Sequence, residues 1–301
     1  MIDYKHVRDC YLAGGNILQL LADQYSDVLE TSDMIQVAYD LQAGSYTRKA
    51  IANPDFEMSR GKAFSKVIND LGEVKSMVDA GVGEGTSMTS IIKHLEIEPK
   101  IVKGFDISLS RVAFARDFLQ SYSQTTPEFA VGDIQNAPLA SNSCELVYTV
   151  HALEPNGGNE EKLLAELYRI TNRFLVLFEP SYELGNSETK KHIENHNFVR
   201  GLLEHASGLG GEVLEHKVLF DSNPWSSNNT AVTVIEKKHV GHRSGEFESA
   251  AKWACPFSKE ALTESRGCYF SEETGLAYPI VDGFPLLLRG KSILASYISS
   301  I

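Results

Sequence analysis

Residues 78–86 read Val78-Asp79-Ala80-Gly81-Val82-Gly83-Glu84-Gly85-Thr86, an apolar run that ends in three alternating glycines and opens directly into a helical face. A helix that follows a strand carries the chain back over the sheet, so the next strand lies parallel to the first. The same beat repeats downstream. Short apolar runs predict strands over 76–80, 101–106, 129–131, 146–150 and 174–179. Helices are expected over 86–95, 110–122 and 160–169, and a long one over 187–207. Strands over 213–220 and 231–236 follow with no helix between them, which predicts an antiparallel finish. The fold class expected is α/β: a doubly wound, mostly parallel, seven-stranded, Rossmann-like sheet with an N-terminal helical cap and a small C-terminal α+β module.

Residues 1–70 read as helices broken at Ala43-Gly44-Ser45-Tyr46 and again at Asn53-Pro54. Residues 71–238 hold the alternation. Residues 239–251 are polar, rich in His, Gly, Ser and Glu, and read as a linker to a unit over 252–301. Four cysteines in 301 residues are too few for a disulfide scaffold. The N-terminus carries Asp3, Lys5, His6, Arg8 and Asp9 with no compact apolar region behind them, unlike a signal peptide. No apolar run nears the roughly 20 residues of a membrane span. These features predict a cytoplasmic protein with reduced thiols. With 40 acidic and 28 basic residues the formal charge is -12, which argues against binding a phosphate backbone.

Glycines at a strand end allow a tight turn and close approach of the backbone to a ligand. The spacing here is G-x-G-x-G with Asp79 just ahead of it, not the G-x-G-x-x-G of a dinucleotide loop. A carboxylate beside a pyrophosphate repels it, whereas a cationic amino-acid ligand accepts one; both points disfavour a nicotinamide dehydrogenase. Asp106 closes the next strand in Gly104-Phe105-Asp106-Ile107-Ser108. It stands about 20 residues past the last glycine, where a doubly wound fold places a carboxylate on a ribose diol. Asp133 follows the third strand in Val131-Gly132-Asp133-Ile134. A carboxylate there can accept from an adenine amino group, with Ile107 and Ile134 packing on the ring.

Taken in order, these features resemble the class I S-adenosylmethionine-dependent methyltransferases over roughly 46–238. The resemblance implies S-adenosyl-L-methionine as cofactor. It implies that Asp79 and the amides of Gly81, Gly83 and Gly85 hold the methionine part. Asp106 would bind the ribose hydroxyls, with Ile107 and Ser108 beside it, and Asp133 and Ile134 would flank adenine. Thr149 and Tyr46 complete the expected cofactor set. Tyr39, Tyr46 and Arg60 are alternative caps, and Arg48 or Arg60 is a candidate partner for the methionine carboxylate. The surface is the competing place for both arginines.

In such a fold the residues after the fourth strand, His151-Ala152-Leu153-Glu154-Pro155-Asn156, face the transferred methyl. No Asn/Asp-Pro-Pro-Tyr motif stands there, which disfavours the exocyclic amine of a base. His151 is the candidate general base, since a neutral imidazole can take a proton from an attacking hydroxyl. Glu154 is expected to orient it or to bind a polar acceptor. A structural or cofactor-contacting histidine is the competing reading. Tyr182 and Glu179, in Phe178-Glu179-Pro180-Ser181-Tyr182-Glu183, are further acceptor-site candidates, while Glu183 suits a helix N-terminus. His192 and His196 are four apart on one helix but have no evident third ligand, so no metal is expected. Arg200 is expected at the surface.

The C-terminal segment Tyr278-Pro279-Ile280-Val281-Asp282-Gly283-Phe284-Pro285-Leu286-Leu287-Leu288 resembles a family of zinc-ribbon-like modules. That family includes the small activator subunit of methyltransferases acting on tRNA, rRNA and a release factor. A four-thiolate site needs C-x-x-C twice. Here Ser258 and Ser271 stand at the second positions, after Cys255 and Cys268. No zinc is expected, and the apolar tail would hold the module by docking on the larger domain. Cys255 and Cys268 are expected as free thiols within reach of each other.

The expected function is methyl transfer to a small polar metabolite, sugar-containing acceptors included, with O-methylation ahead of N-methylation. An RNA- or protein-modifying methyltransferase is the first alternative, and a non-catalytic cofactor-binding regulator the second. The expected partner is a small-molecule acceptor, with no membrane and no nucleic acid; the oligomeric state is not encoded in any of these features.

Overall fold

The computed structural model describes residues 2–120, 126–220, 228–238 and 251–296. Helices α1 (Tyr4–Leu12), α2 (Ile17–Tyr25), α3 (Thr31–Leu41), α4 (Ser45–Ala52) and α5 (Pro54–Asp70) lead the chain. Asp3 and Asn16 cap α1 and α2 by accepting from the amides of His6 and Gln19. Glu30 and Asp33 form a capping box on α3. Pro54 starts α5, where its missing N–H goes unneeded. Val7, Ile17, Leu21 and Ala38 give α1–α3 a small core of their own. By contrast α5 buries Phe64, Val67 and Ile68 in the main core.

The alternating part runs β1 (Ser76–Ala80), α6 (Thr86–Ile92), β2 (Ile101–Asp106), α7 (Leu109–Gln120), β3 (Glu128–Gly132), β4 (Cys144–Val150), α8 (Glu160–Ile170), β5 (Thr171–Glu179), α9 (Ser187–His196), α10 (Leu202–Gly208), β6 (Glu212–Phe220) and β7 (Thr230–Glu236). The seven expected strands lie in the order β6-β7-β5-β4-β1-β2-β3. β1 to β5 are parallel, and β7 runs antiparallel to both β5 and β6. Every residue of β1 is buried, as both faces of the sheet are covered by helices. Met77, Tyr148 and Val176 enter one core with α5–α7, while Val78, Val147 and Leu175 enter the other with Leu163, Leu164 and Leu167 of α8. Strand order reverses between β1 and β4, and doubly wound sheets open their ligand crevice at such a switch.

Two expectations change. The long helix over 187–207 is two helices, because Asn197 (φ 49) and Gly201 (φ 64) are left-handed and stop it. The C-terminal unit also joins the main sheet. It contains β8 (Thr263–Ser265), β9 (Cys268–Ser271), β10 (Leu276–Val281), β11 (Phe284–Leu287) and β12 (Ile293–Leu294). β11 pairs parallel with β3, Leu286 opposite Val131 and Leu287 opposite Gly132, and so adds a strand to the expected seven. The bare edge of β3 is thereby covered. Trp253, 4% exposed, packs with Leu139, Cys255 and Tyr278, and the Lys103 ammonium lies 4.7 Å from its ring centre. Cys255 bonds the Tyr278 hydroxyl (3.2 Å) and Cys268 the Ser265 carbonyl (3.1 Å), and the two thiols pack in different clusters rather than against each other. The expected linker lies outside the described residues up to 250. Among the described residues no helix is long and apolar enough to cross a membrane.

Candidate active site

A cavity of about 410 Å³ opens where β1, β2, β3 and β4 end, within the range of roughly 300–1,000 Å³ of small-molecule sites. Gly81, Gly83, Asp106, Ile107, Asp133 and Ile134 line one part of it. At Gly81 (φ 85) a Cβ would come 2.4 Å from that of Ala152, so only glycine fits. The loop amides are spoken for: Gly81 N–H donates to the Phe105 carbonyl (2.8 Å), Gly83 to Asp106 (3.0 Å) and Gly85 to the Val82 carbonyl (3.0 Å). In this structure each of the three amides thus already has a protein acceptor. Gly81 supplies clearance, Gly83 (φ 54) supplies the left-handed turn, and Gly85 (φ 70) caps α6 away from the lining.

Three carboxylates set the electrostatics. Asp79 lies beneath the loop, 2% exposed, with Oδ1 lacking a hydrogen-bond partner. Burial, reinforced by Asp106 and Glu179 and opposed by Tyr148, pushes its pKa up to about 8. Asp106 accepts from Gly83 and from the Ser108 amide (2.9 Å); burial raises its pKa while Arg111 opposes the rise. Asp133 accepts from the Gln135 amide (2.8 Å) and from the Ser32 hydroxyl of α3 (3.0 Å). α3 is pinned across this mouth at two more points. Gln36 donates to the Ile107 carbonyl (3.0 Å), and Asp40 accepts from the Ser108 hydroxyl (2.6 Å).

Arg111 is the cationic member of the site, and no sequence pattern marks it. It is 6% exposed and lines the cavity, with Nε lacking a hydrogen-bond partner. Its guanidinium lies 4.8 Å from the ring centre of Tyr39 and 4.5 Å from that of Tyr46. Glu84 stands 3.9 Å away and accepts from the amides of Gly44, Tyr46 and Thr47, tying the start of α4 to the glycine loop. Of the two arginines expected here, Arg60 lines the cavity but is paired with Glu57 (3.2 Å), and Arg48 is exposed.

On the other side the turn after β4 presents His151, left-handed at φ 52. Glu179 holds that turn by accepting from the amides of Ala152 (3.0 Å) and Leu153 (3.3 Å). Burial pushes the Glu179 carboxyl up to about 7, with His151 opposing the rise. His151 Nδ1 bonds Glu154, and Nε2 lies 2.7 Å from the Thr230 hydroxyl. Glu154 also accepts from Asn228 (3.0 Å). An ionised carboxylate only accepts, which assigns the proton to Nδ1 and the lone pair to Nε2. Asn228 and Thr230 were not among the expected residues. Their signal was the antiparallel β7, which begins where its parallel neighbours end.

The structure thus gathers Tyr46, Gly81, Gly83, Asp106, Ile107, Asp133, Ile134, His151 and Glu154 around one cavity. Asp79, Gly85, Ser108, Thr149 and Glu179 lie behind the lining, where Thr149 is wholly buried. Tyr182 is elsewhere. Its hydroxyl donates to Glu194 of α9 (2.7 Å) in an exposed contact, outside the cavity lining. His192 and His196 line the cavity as stacked rings, and among the described residues no three His, Cys, Asp or Glu gather for a metal.

Residues 78–173 match the family model of a methyltransferase domain. No curated protein matches the chain. Two solved structures of the magnesium protoporphyrin IX methyltransferase of Synechocystis PCC 6803 are similar in fold, each with 14% identity. The one with bound SAH covers 69% of this chain and 100% of its own (TM-score 0.52), and the one with bound SAM covers 70% and 99% (TM-score 0.50). A chain from the complex between the Haloferax volcanii Trm112 methyltransferase activator and the putative methyltransferase is also similar, at 15% identity over 66% of this chain and 96% of its own (TM-score 0.47).

Proposed function

We propose that the chain, whose residues 78–173 match a methyltransferase domain, is an S-adenosylmethionine-dependent methyltransferase that methylates a hydroxyl of a small-molecule acceptor, with His151 as general base. The His151–Glu154–Thr230 network on the cavity wall carries this reading. The cavity suits the cofactor. Asp79 and Arg111 each bury a polar atom without a hydrogen-bond partner, and a carboxyl group and a guanidinium suit the ammonium and carboxylate of its amino-acid end. Asp106 takes the ribose diol, and Asp133 with Ile134 takes adenine. Bound there, the cofactor would supply an electrophilic methyl for the acceptor oxygen.

His151 Nε2 takes the acceptor proton at the position that the Thr230 hydroxyl holds. Glu154 fixes the tautomer and stabilises the imidazolium that results, and Asn228 fixes Glu154. Glu179 positions the turn and touches no reactant. We assign Tyr182 no part in the reaction. The acidic balance of the chain favours a small acceptor over a nucleic acid. Residues 252–301 are, in this reading, a zinc-ribbon-like module held by packing, since Ser258 and Ser271 replace two of four thiolates.

A transfer assay with methyl-labelled cofactor tests the proposal. His151→Ala is expected to lower kcat by roughly 10²–10⁴-fold with cofactor affinity unchanged. Full turnover in that variant removes His151 as the base. Asp106→Ala is expected to weaken cofactor binding, and unchanged affinity by calorimetry overturns the site assignment.

A further inference from the structure

The wall opposite the glycine loop is made of rings. α9 ends at Asn197, and the Phe198 amide turns back to donate to the Ile193 carbonyl (3.0 Å). That turn sets Phe198 against the two histidines one helical turn apart. Ring centres lie 4.3 Å apart for His192 and His196, 5.6 Å for His192 and Phe198, and 5.2 Å for His196 and Phe198. All three line the cavity, and Phe56 and Phe220 line it too. Burial, with His196 nearby, holds His192 below the usual imidazole range, so it presents a neutral ring near pH 7.

Several polar side chains around His151 are engaged with one another. Glu154 is engaged by His151 and Asn228, and the Thr230 hydroxyl by His151. Arg60 and Glu57 are paired with each other, and Arg60 also donates to Ser87 (3.3 Å) at the start of α6. A polyhydroxylated acceptor such as a sugar needs a separate partner for each buried hydroxyl. This lining offers a hydroxyl site at His151 and π faces beside it.

We infer that the acceptor is a planar aromatic compound bearing a hydroxyl, its ring seated against His192, His196 and Phe198 and its hydroxyl at His151. The inference rests on the hydroxyl-methylation reading and narrows its substrate class. Ring–ring contacts prefer offset or edge-to-face geometry at centroid separations of roughly 4.5–7 Å, and they favour an aryl over an alicyclic ring of equal size.

The test is calorimetric titration of the full chain, with S-adenosylhomocysteine present, using catechol and cis-1,2-cyclohexanediol as probes. The two match in size and hydroxyl spacing and differ in aromaticity. Catechol is expected to bind about tenfold more tightly, from two ring contacts of a few-fold each. Phe198→Leu combined with His192→Gln is expected to bring the ratio towards one, with S-adenosylhomocysteine affinity unchanged as the control for folding. Equal affinity for the two probes in the wild type overturns the inference, as does a preference that survives in the variant. Labelled-methyl transfer in parallel samples separates the two readings. Preferential catechol binding without transfer to its oxygen removes hydroxyl methylation and leaves the aromatic site standing. His151-dependent transfer to aliphatic hydroxyls without any aryl preference removes the aromatic site alone.

Discussion

Arg111 and Asp79 lie below the surface, and each leaves a polar atom without a hydrogen-bond partner. A buried polar atom left in that state is costly unless a ligand completes it. Arg111→Met should weaken S-adenosylmethionine binding by roughly 10–100-fold, the loss of one or two charge-assisted hydrogen bonds, as read by calorimetry. Arg111→Lys should not restore it, because a point ammonium cannot lie flat against both tyrosine rings. Asp79 also gives the cofactor-free protein a pH signature. Its folded pKa, about 8, is above that of an unfolded aspartate, so the native state keeps a proton that the unfolded state sheds first. Stability is therefore full below the unfolded value and falls as pH rises towards 8, with Glu179 adding the same sign up to about 7. Melting temperatures between pH 6 and pH 8 should decline, and Asp79→Asn should flatten the decline; an unchanged slope would show that Asp79 is not buried as a neutral acid. Asp79, Asp106 and Asp133 were legible because each stands at a strand end in a fixed order. Arg111 was not, since an arginine inside α7 reads as surface until Tyr39 and Tyr46 fold over it.

At the scale of elements, the glycine loop and β11 do most to decide where the cavity forms. Gly81 lets the turn after β4 approach within contact distance of the turn after β1. Gly81→Ala should push the two loops apart and lower cofactor affinity at least tenfold while the sheet stays folded, as circular dichroism alongside titration would show. β11 and Trp253 bind the C-terminal module to the main sheet. Trp253→Ala should cost about 3–5 kcal/mol by leaving a cavity under Lys103, measured by denaturant unfolding. A change below about 1 kcal/mol would mean that the module merely rests on β3. Hydrophobic periodicity located all seven strands of the alternation to within a few residues. It missed the break at Asn197, because the apolar spacing continues through it and only the left-handed backbone of Asn197 and Gly201 interrupts the helix. It missed the pairing of β11 with β3 because strand partners are chosen by open edges, which no local pattern encodes.

The whole molecule is a sheet extended at one edge by its C-terminal module and roofed at the cavity mouth by α3. α1–α3 keep a core of their own and meet the mouth through the hydrogen bonds of Ser32, Gln36 and Asp40. Polar attachment of a small unit predicts easier local opening than in the sheet. Amide exchange should therefore be faster in α1–α3 than in β1 and β4, and cofactor binding should slow it. Equal protection in both regions would show that the roof is part of the main cooperative unit. By itself the sequence determined the α/β class, the direction of the strands and the carboxylates at their ends. Those follow from periodicities of two and 3.6 residues and from turn chemistry, which act over neighbours in the chain. Only the tertiary structure decided that the loop amides are already satisfied, that Tyr182 faces away, that Arg111 lies between two tyrosines and that Thr230 meets His151. Each of these depends on contacts between residues far apart in the chain, and such contacts exist only once the sheet has set the ends of its strands side by side.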